Sequence, residues 1–289
     1  MSKNILVLGG TRFFGKHLVQ QLLSSGENVT LATRGVTKDS FGNQVKRIVF
    51  DRTSKESIQK TLSDSAFDVV YDNIAYTSVD VDNLLSSIHC HRYIVTSSTA
   101  VYPVLHLNTV EEDFDSSDQP YRLVNRDETD YAEGKRSLER ILTQKYASVD
   151  AVIVRFPYVV GLDDYTKRLR FYIQHTLNQQ PVHCDNFENQ MSFVSSEEAG
   201  AFLAFLSTCS FTGAINGASK GTVSVKNVSD YISTQTGKGI LLNPFATAAP
   251  YNGTPEYSIN TEKAHTLGFD FSDIHHWLFQ LIDAEIKPH

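Results

Sequence analysis

Ile5-Leu6-Val7-Leu8-Gly9-Gly10-Thr11-Arg12-Phe13-Phe14-Gly15 runs four consecutive apolar residues into a glycine turn, and an amphipathic stretch, His17 to Leu23, follows it. An unbroken apolar run this short, closed by a turn, reads as a buried parallel strand. Strand, glycine turn and helix in that order are the context of a dinucleotide site. Gly9 permits the tight bend and Gly15 lets the helix approach the strand. Backbone N–H groups at the helix start then face a pyrophosphate. Thr11, Arg12, Phe13 and Phe14 fill the turn and join Gly9 and Gly15 as candidate cofactor contacts. Arg12 stands where a three-glycine fingerprint has its middle glycine, and its guanidinium is in reach of the adenosine ribose. The competing reading is a glycine-rich turn without a ligand.

Outward from this unit, β-branched runs near 4–8, 28–33, 46–50, 67–72, 92–97 and 150–155 alternate with helical patterns. Such alternation predicts an α/β fold with a Rossmann-type, doubly wound parallel sheet. The expected division is a dinucleotide-binding domain over 1–160 and a smaller substrate lobe over 161–289, with segments around 190–220 returning to the sheet. In the lobe the spacing predicts helices over 166–177, 196–206, 225–236 and 272–286 and a short strand near Val182. Residues 104–130 lack periodicity and read as a long loop, a length that is often functional.

The 289 residues are 41% hydrophobic and carry 33 acids against 26 bases, a formal charge of −7. The length suffices for one large domain with an added lobe. The acidic balance provides no footprint for a nucleic-acid backbone or an anionic membrane, so no nucleic-acid or membrane partner is expected and a small-molecule substrate is. Met1-Ser2-Lys3-Asn4 leads into the first strand without a signal-peptide pattern, so a cytoplasmic location is expected. Cys90, Cys184 and Cys209 are odd in number and form no Cys-x-x-Cys pair, which predicts reduced thiols rather than disulfides or a zinc site. Neighbouring residues His89-Cys90-His91 cannot converge on one ion, so no metal is expected, and a capped helix end is the favoured reading there.

Tyr131-Ala132-Glu133-Gly134-Lys135 places a phenol and an ammonium one helical turn apart on one face. Lys135 is expected to lower the pKa of Tyr131 and bring it nearer to acid/base work at neutral pH. Thr96 to Tyr102 sets hydroxyls at the carboxyl edge of the sheet, where open α/β folds bind ligands, and Ser98 is the candidate to bond a substrate oxygen. The second strand ends Ala32-Thr33-Arg34-Gly35. A carboxylate there would hold the ribose 2′-hydroxyl of NAD, whereas Arg34 and Arg12 suit a 2′-phosphate, so NADP is predicted over NAD. Asp51 is placed either to accept from the adenine amino group or to cap its loop.

Taken together, the Gly9-to-Gly15 turn, Ser98-Thr99-Ala100-Val101-Tyr102, Tyr131 with Lys135, Arg155 to Gly161 and Ser192 to Ala199 resemble the short-chain dehydrogenase/reductase superfamily, in its extended NAD-dependent epimerase/dehydratase branch. The resemblance implies Tyr131 as catalytic acid/base, Lys135 supporting it and contacting the nicotinamide ribose, and Ser98 positioning the reacting oxygen. It also implies hydride transfer at nicotinamide C4, a cofactor-lining place for Tyr158, and a possible homodimer through helices flanking the sheet. Nucleotide-sugar epimerases of this branch carry asparagine where Tyr158 stands and a phosphate-binding arginine near Met191. Neither is present here, and Arg168 and Arg170 are the available substitutes. The Arg12 turn and the Thr33-Arg34-Gly35 ending look more like an atypical subgroup that includes chloroplast stem-loop-binding proteins. The implied activity is an NAD(P)-dependent oxidoreductase or epimerase/dehydratase acting on a hydroxyl or carbonyl carbon of a sugar-like substrate. The alternative is a non-catalytic dinucleotide-binding regulator or RNA-associated protein.

Overall fold

The computed structural model describes residues 2–63 and 65–287. Its first half alternates β1 (Asn4–Leu8), α1 (Phe13–Ser24), β2 (Asn28–Thr33), β3 (Lys46–Val49), α2 (Lys55–Leu62), β4 (Ala66–Asp72), α3 (Ser78–Leu85), β5 (His89–Ser98), α4 (Tyr131–Gln144) and β6 (Asp150–Phe156). The second half adds β7 (Tyr158–Val160), α5 (Arg168–Leu177), β8 (Val182–His183), β9 (Phe193–Ser195), α6 (Ser196–Leu206), β10 (Gly213–Asn216), α7 (Val225–Thr236), β11 (Thr247–Ala248), α8 (Glu262–Thr266) and α9 (Ile274–Ile286). Seven strands form one parallel sheet in the order β3-β2-β1-β4-β5-β6-β10, and the pairs β7-β9 and β8-β11 stand apart from it.

Alternation along the strands explains the continuous apolar runs. Ile5, Val7, Leu31, Tyr71, Ile94 and Val154 face α1 and α6, where they meet Leu18, Val19, Phe202 and Leu203. Leu6, Leu8, Val70, Tyr93, Val95 and Ile153 point the other way and pack on α2, α3 and α4. A sheet covered on both faces has no polar side to reveal by period-two patterning. The Phe202–Phe205 run is accordingly a core face, with Phe202 fully buried against Phe156, Phe269 and Phe271. A third core, built from α5, α7, α9 and the β7-β9 pair, holds the C-terminal half together.

Three local expectations shift for identifiable reasons. The carboxylate of Asp164 takes the N–H and hydroxyl of Thr166, and Lys167 is left-handed (φ 56°), so α5 begins at Arg168 rather than at 166. Asp273 accepts from the His275 N–H and caps α9, which starts at Ile274. His89-Cys90-His91 is no helix end: His89 opens β5, in register with Ala66. Among the described residues no cluster of ligating side chains could hold a metal, and no helix is long and apolar enough to cross a membrane. The three cysteines are free. Within residues 104–130 only the short 3-10 turn Glu111–Asp113 is regular.

Strand order reverses between β1 and β4. The carboxyl ends of these strands open into the crevice where doubly wound sheets bind ligands.

Candidate active site

The crevice is a cleft of about 860 Å³ that runs from Arg34 and Asp51, past the glycine turn, to Ser98, Tyr131, Tyr158 and Arg168. It lies within the size range of small-molecule and cofactor sites. Gly9, Thr11, Arg12, Phe13, Phe14 and Lys135 also line it, so the cavity brings together the candidates named from the sequence except Gly15, which is buried, and Arg170.

The turn is built for a ligand's close approach. Gly9 has φ +78°, open to glycine at little cost, and a Cβ on Gly15 would stand 1.9 Å from the Gly9 carbonyl oxygen. Helix α1 therefore starts against the end of β1. No side chain caps it and no acid sits in its first turn, which leaves its leading N–H groups for a phosphate. These features fit a dinucleotide pyrophosphate. The ring of Phe13 contacts that of Tyr165 at 5.8 Å across the cleft.

At the adenosine end, Arg34 is exposed and forms no ion pair among the described residues. Asp51 caps its own loop: Oδ1 accepts from the N–H of Thr53 at 2.9 Å and from its hydroxyl at 2.7 Å. These bonds, chiefly the hydroxyl, hold the Asp51 carboxyl below its usual range. Oδ2 receives no hydrogen bond among the described residues, and Asp51 lines the cleft.

At the other end α4 presents Tyr131 and Lys135. Asp130 accepts from the Glu133 N–H and starts this helix at Tyr131. Lys135 is 3% exposed, and its ammonium donates to the carbonyls of Ala75 and Thr96, both at 2.7 Å. Burial lowers its pKa to about 8, against the opposing charges of Asp72 and Asp80. The third ammonium proton has no protein acceptor among the described residues.

For Tyr131 the direction differs from the sequence expectation. Desolvation by the surrounding cleft wall raises its pKa even though the residue is 52% exposed; Ser98 and the charge of Arg168 act against that rise. Lys135 is not the lowering partner, because its ammonium is drawn to two carbonyls and stands 5.8 Å from the Tyr131 ring centroid. Ser98 accepts from the Ala100 N–H at 3.2 Å, which orients its hydroxyl at the end of β5.

Tyr158 pairs its hydroxyl with Thr254 at 2.8 Å, and the Arg168 guanidinium lies 5.5 Å over its ring. The two substitute arginines separate here. Arg170 is bound to Glu285, whereas Arg168 faces the cleft with no carboxylate in ion-pair range among the described residues. Met191, where the branch carries a phosphate-binding arginine, is buried in apolar surroundings.

Behind Ser98 lies a buried polar network that positions the wall. Glu139 and Arg155 pair at 2.6 Å, Ser97 donates to Glu139 at 2.5 Å, and Arg155 also reaches Tyr102 and the carbonyls of Glu111 and Phe114. Glu139 and Arg155 are not readable as partners from the sequence, because they are joined only by the packing of α4 on β6.

The model of the NAD dependent epimerase/dehydratase family matches residues 5–209. Among curated proteins, the chain is 28% identical over 221 residues to the chloroplast stem-loop binding protein of 41 kDa b of Arabidopsis thaliana, covering 71% of this chain and 55% of that protein. The chain thus spans about half the length of this relative. Of solved structures, a putative epimerase from Burkholderia cenocepacia superposes with TM-score 0.75 at 19% identity, covering 99% of this chain and 98% of that one. UDP-glucuronic acid 4-epimerase from Bacillus cereus, in complex with NAD, gives TM-score 0.72 at 18% identity, covering 98% and 96%. At such identities these two likenesses are of fold. The match of the family model across most of the chain, on the strand, turn and helix that open the cleft and on the α4 residues that close it, makes the chain a member of the NAD dependent epimerase/dehydratase family.

Proposed function

We propose that the chain is an NAD(P)-dependent epimerase or oxidoreductase acting at a hydroxyl or carbonyl carbon of a sugar-like substrate that bears phosphate, with residues 161–289 as the substrate-facing lobe. The observation that carries this reading is the convergence of Ser98, Tyr131, Lys135 and the unpaired Arg168 on the cleft that the glycine turn opens. The nicotinamide cofactor, when bound, supplies a hydride acceptor or donor. Gly9 to Gly15 would hold its pyrophosphate and Lys135 its nicotinamide ribose. Tyr131, protonated at neutral pH, is set to donate to a carbonyl oxygen, and in the other direction it must take a hydroxyl proton. Ser98 orients the same oxygen. Arg168 supplies a cation for a substrate phosphate in place of the arginine absent at Met191. The Bacillus cereus protein of like fold acts on a UDP-sugar, which supports a nucleotide-sugar as the first class to try. Incubation with a panel of nucleotide sugars, following the reduced nicotinamide band and the product sugars, tests the assignment. Absence of turnover on every nucleotide sugar, free sugar phosphate and polyol tried would count for the non-catalytic alternative.

For the cofactor we propose NADP over NAD, although the family's name carries NAD. Support comes from Arg34, which ends β2 without an acid beside it, and from Arg12 in the turn. Arg34→Ala should weaken NADP binding about tenfold with NAD binding little changed, measured by calorimetry. Equal losses for both would assign Arg34 to loop support.

Lys135 gives a pH prediction. The ammonium has three N–H groups, two of them held by carbonyls. The neutral amine has only two, leaving none for a ribose. Because the pKa is lowered to about 8, dinucleotide affinity should be full below that pH and fall as pH rises through it. AMP, lacking the nicotinamide ribose, serves as the control whose affinity should not follow this curve.

A further inference from the structure

The loop over 104–130 does more than connect β5 to α4. Its part from Ser116 to Arg126 is strapped across α3 and α4. Gln144 donates to the carbonyls of Ser116 and Gln119 and accepts from the Tyr121 N–H. Ser78 donates to the Arg122 carbonyl at 2.7 Å and accepts from the Val124 N–H at 2.9 Å. The strap ends by placing Arg126 on the wall of the cleft.

Arg126 is held there by one edge. Its Nε and Nη2 engage Asp80, both at 3.0 Å, and Nη2 donates to the Ile74 carbonyl at 2.9 Å. The guanidinium lies 4.7 Å over the ring of Tyr76. Among the described residues Nη1 makes no hydrogen bond, although the side chain is 40% exposed on the cleft wall. Two N–H donors are therefore fixed in direction without an acceptor. Arg34, by contrast, is exposed and its side chain makes no hydrogen bond among the described residues.

The charges nearby favour an anion. Arg52, Arg126 and Lys135 surround Asp72 and Asp80, three cations to two carboxylates. Arg34 and Asp51 at the rim add one of each sign and leave the excess unchanged. Asp51 is held low first by Thr53, and the charges of both Arg34 and Arg126 contribute, so both guanidiniums act on the same carboxylate at the cleft wall that all three line.

We infer that Arg126, supplied by the strap and not by the sheet, is a further cofactor-binding residue whose Nη1 donors take a phosphate group of the dinucleotide's adenosine half. The inference rests on the dinucleotide reading above. A fixed guanidinium loses little freedom on binding, so its contribution should exceed that of Arg34, which no hydrogen bond holds among the described residues.

The test is calorimetric titration of the nucleotide-free full chain with NADP⁺, NAD⁺ and adenosine, for wild type, Arg126→Ala and Arg126→Lys. Arg126→Ala should weaken NADP⁺ binding tenfold or more and leave adenosine unaffected. A loss confined to NADP⁺ assigns the 2′-phosphate, and an equal loss with NAD⁺ assigns the pyrophosphate; both support the inference. Wild-type affinities in Arg126→Ala overturn it. Where loss of the Asp80 partner unfolds that variant, Arg126→Lys decides: one ammonium held by Asp80 leaves no oriented donor pair, so it too should bind weakly, and unchanged affinity overturns the inference. Binding of neither dinucleotide by wild type would instead remove the dinucleotide reading itself, and this inference with it.

Discussion

Tyr131→Phe is expected to reduce turnover by about 10² to 10⁴-fold while leaving dinucleotide affinity nearly unchanged. The substitution removes one hydroxyl. It keeps the ring that packs edge-on against Tyr76 at 5.9 Å, so the wall of the cleft stays in place. Because burial raises the phenol's pKa, the residue rests protonated across the neutral range. Carbonyl reduction, which needs the protonated form, should therefore be flat with pH until above the ordinary tyrosine value near 10 when the cofactor is kept saturating, and should fall from about pH 8 when it is not, as the Lys135 ammonium is lost. Hydroxyl oxidation, which needs a proton acceptor, should climb with pH over the same interval, until loss of the Lys135 ammonium weakens cofactor binding. Steady-state rates in both directions with a common substrate pair check this. Undiminished turnover in Tyr131→Phe would falsify the catalytic assignment.

Glu139→Ala should produce the largest loss of stability. Arg155 is 1% exposed and takes its compensating charge from Glu139, in contacts of 2.6 to 3.2 Å. Removing one partner leaves an uncompensated buried cation, at a cost of about 3–5 kcal/mol. Ser97 loses its acceptor at the same time. The denaturation midpoint in urea should fall steeply with little change in slope. Glu139→Gln, which keeps the acceptor oxygen and the shape, should be damaging to a smaller degree, since it still strands the charge. A midpoint for Glu139→Ala within about 0.5 kcal/mol of wild type, the range of ordinary surface changes, would show that the network is more open than its burial implies.

How much was legible in the sequence depends on how local the cause was. The first strand, turn and helix could be read because Ile5 to Gly15 and the residues after it carry their own instructions: an apolar run, a positive φ at Gly9, a Gly15 too close to the strand for any side chain. The Tyr131 and Lys135 spacing is equally local, since one helix delivers both groups. What escaped depends on residues distant in the chain. Nothing in Arg168-Leu169-Arg170 says that one arginine meets Glu285, more than a hundred residues away, and the other faces the cleft. Arg126 looked like one more polar loop residue until Asp80 and Ile74 fixed it on the cleft wall. His89 was misread because a polar opening to an interior strand resembles a helix end, and only the pairing with Ala66 decides it. The direction of the Tyr131 shift is set first by its desolvation in the cleft, which no spacing along α4 reveals, and the Lys135 ammonium is turned to two backbone carbonyls.

The central claim is that the cleft binds a nicotinamide dinucleotide with its adenosine end read by arginines. Calorimetric titration of the protein with NADP⁺ and NAD⁺ at matched salt, after removal of any nucleotide carried through purification, tests it most directly. NADP⁺ should bind tightly and NAD⁺ more weakly. Preference for NAD⁺ would contradict the arginine reading, and binding of neither would contradict the claim as a whole.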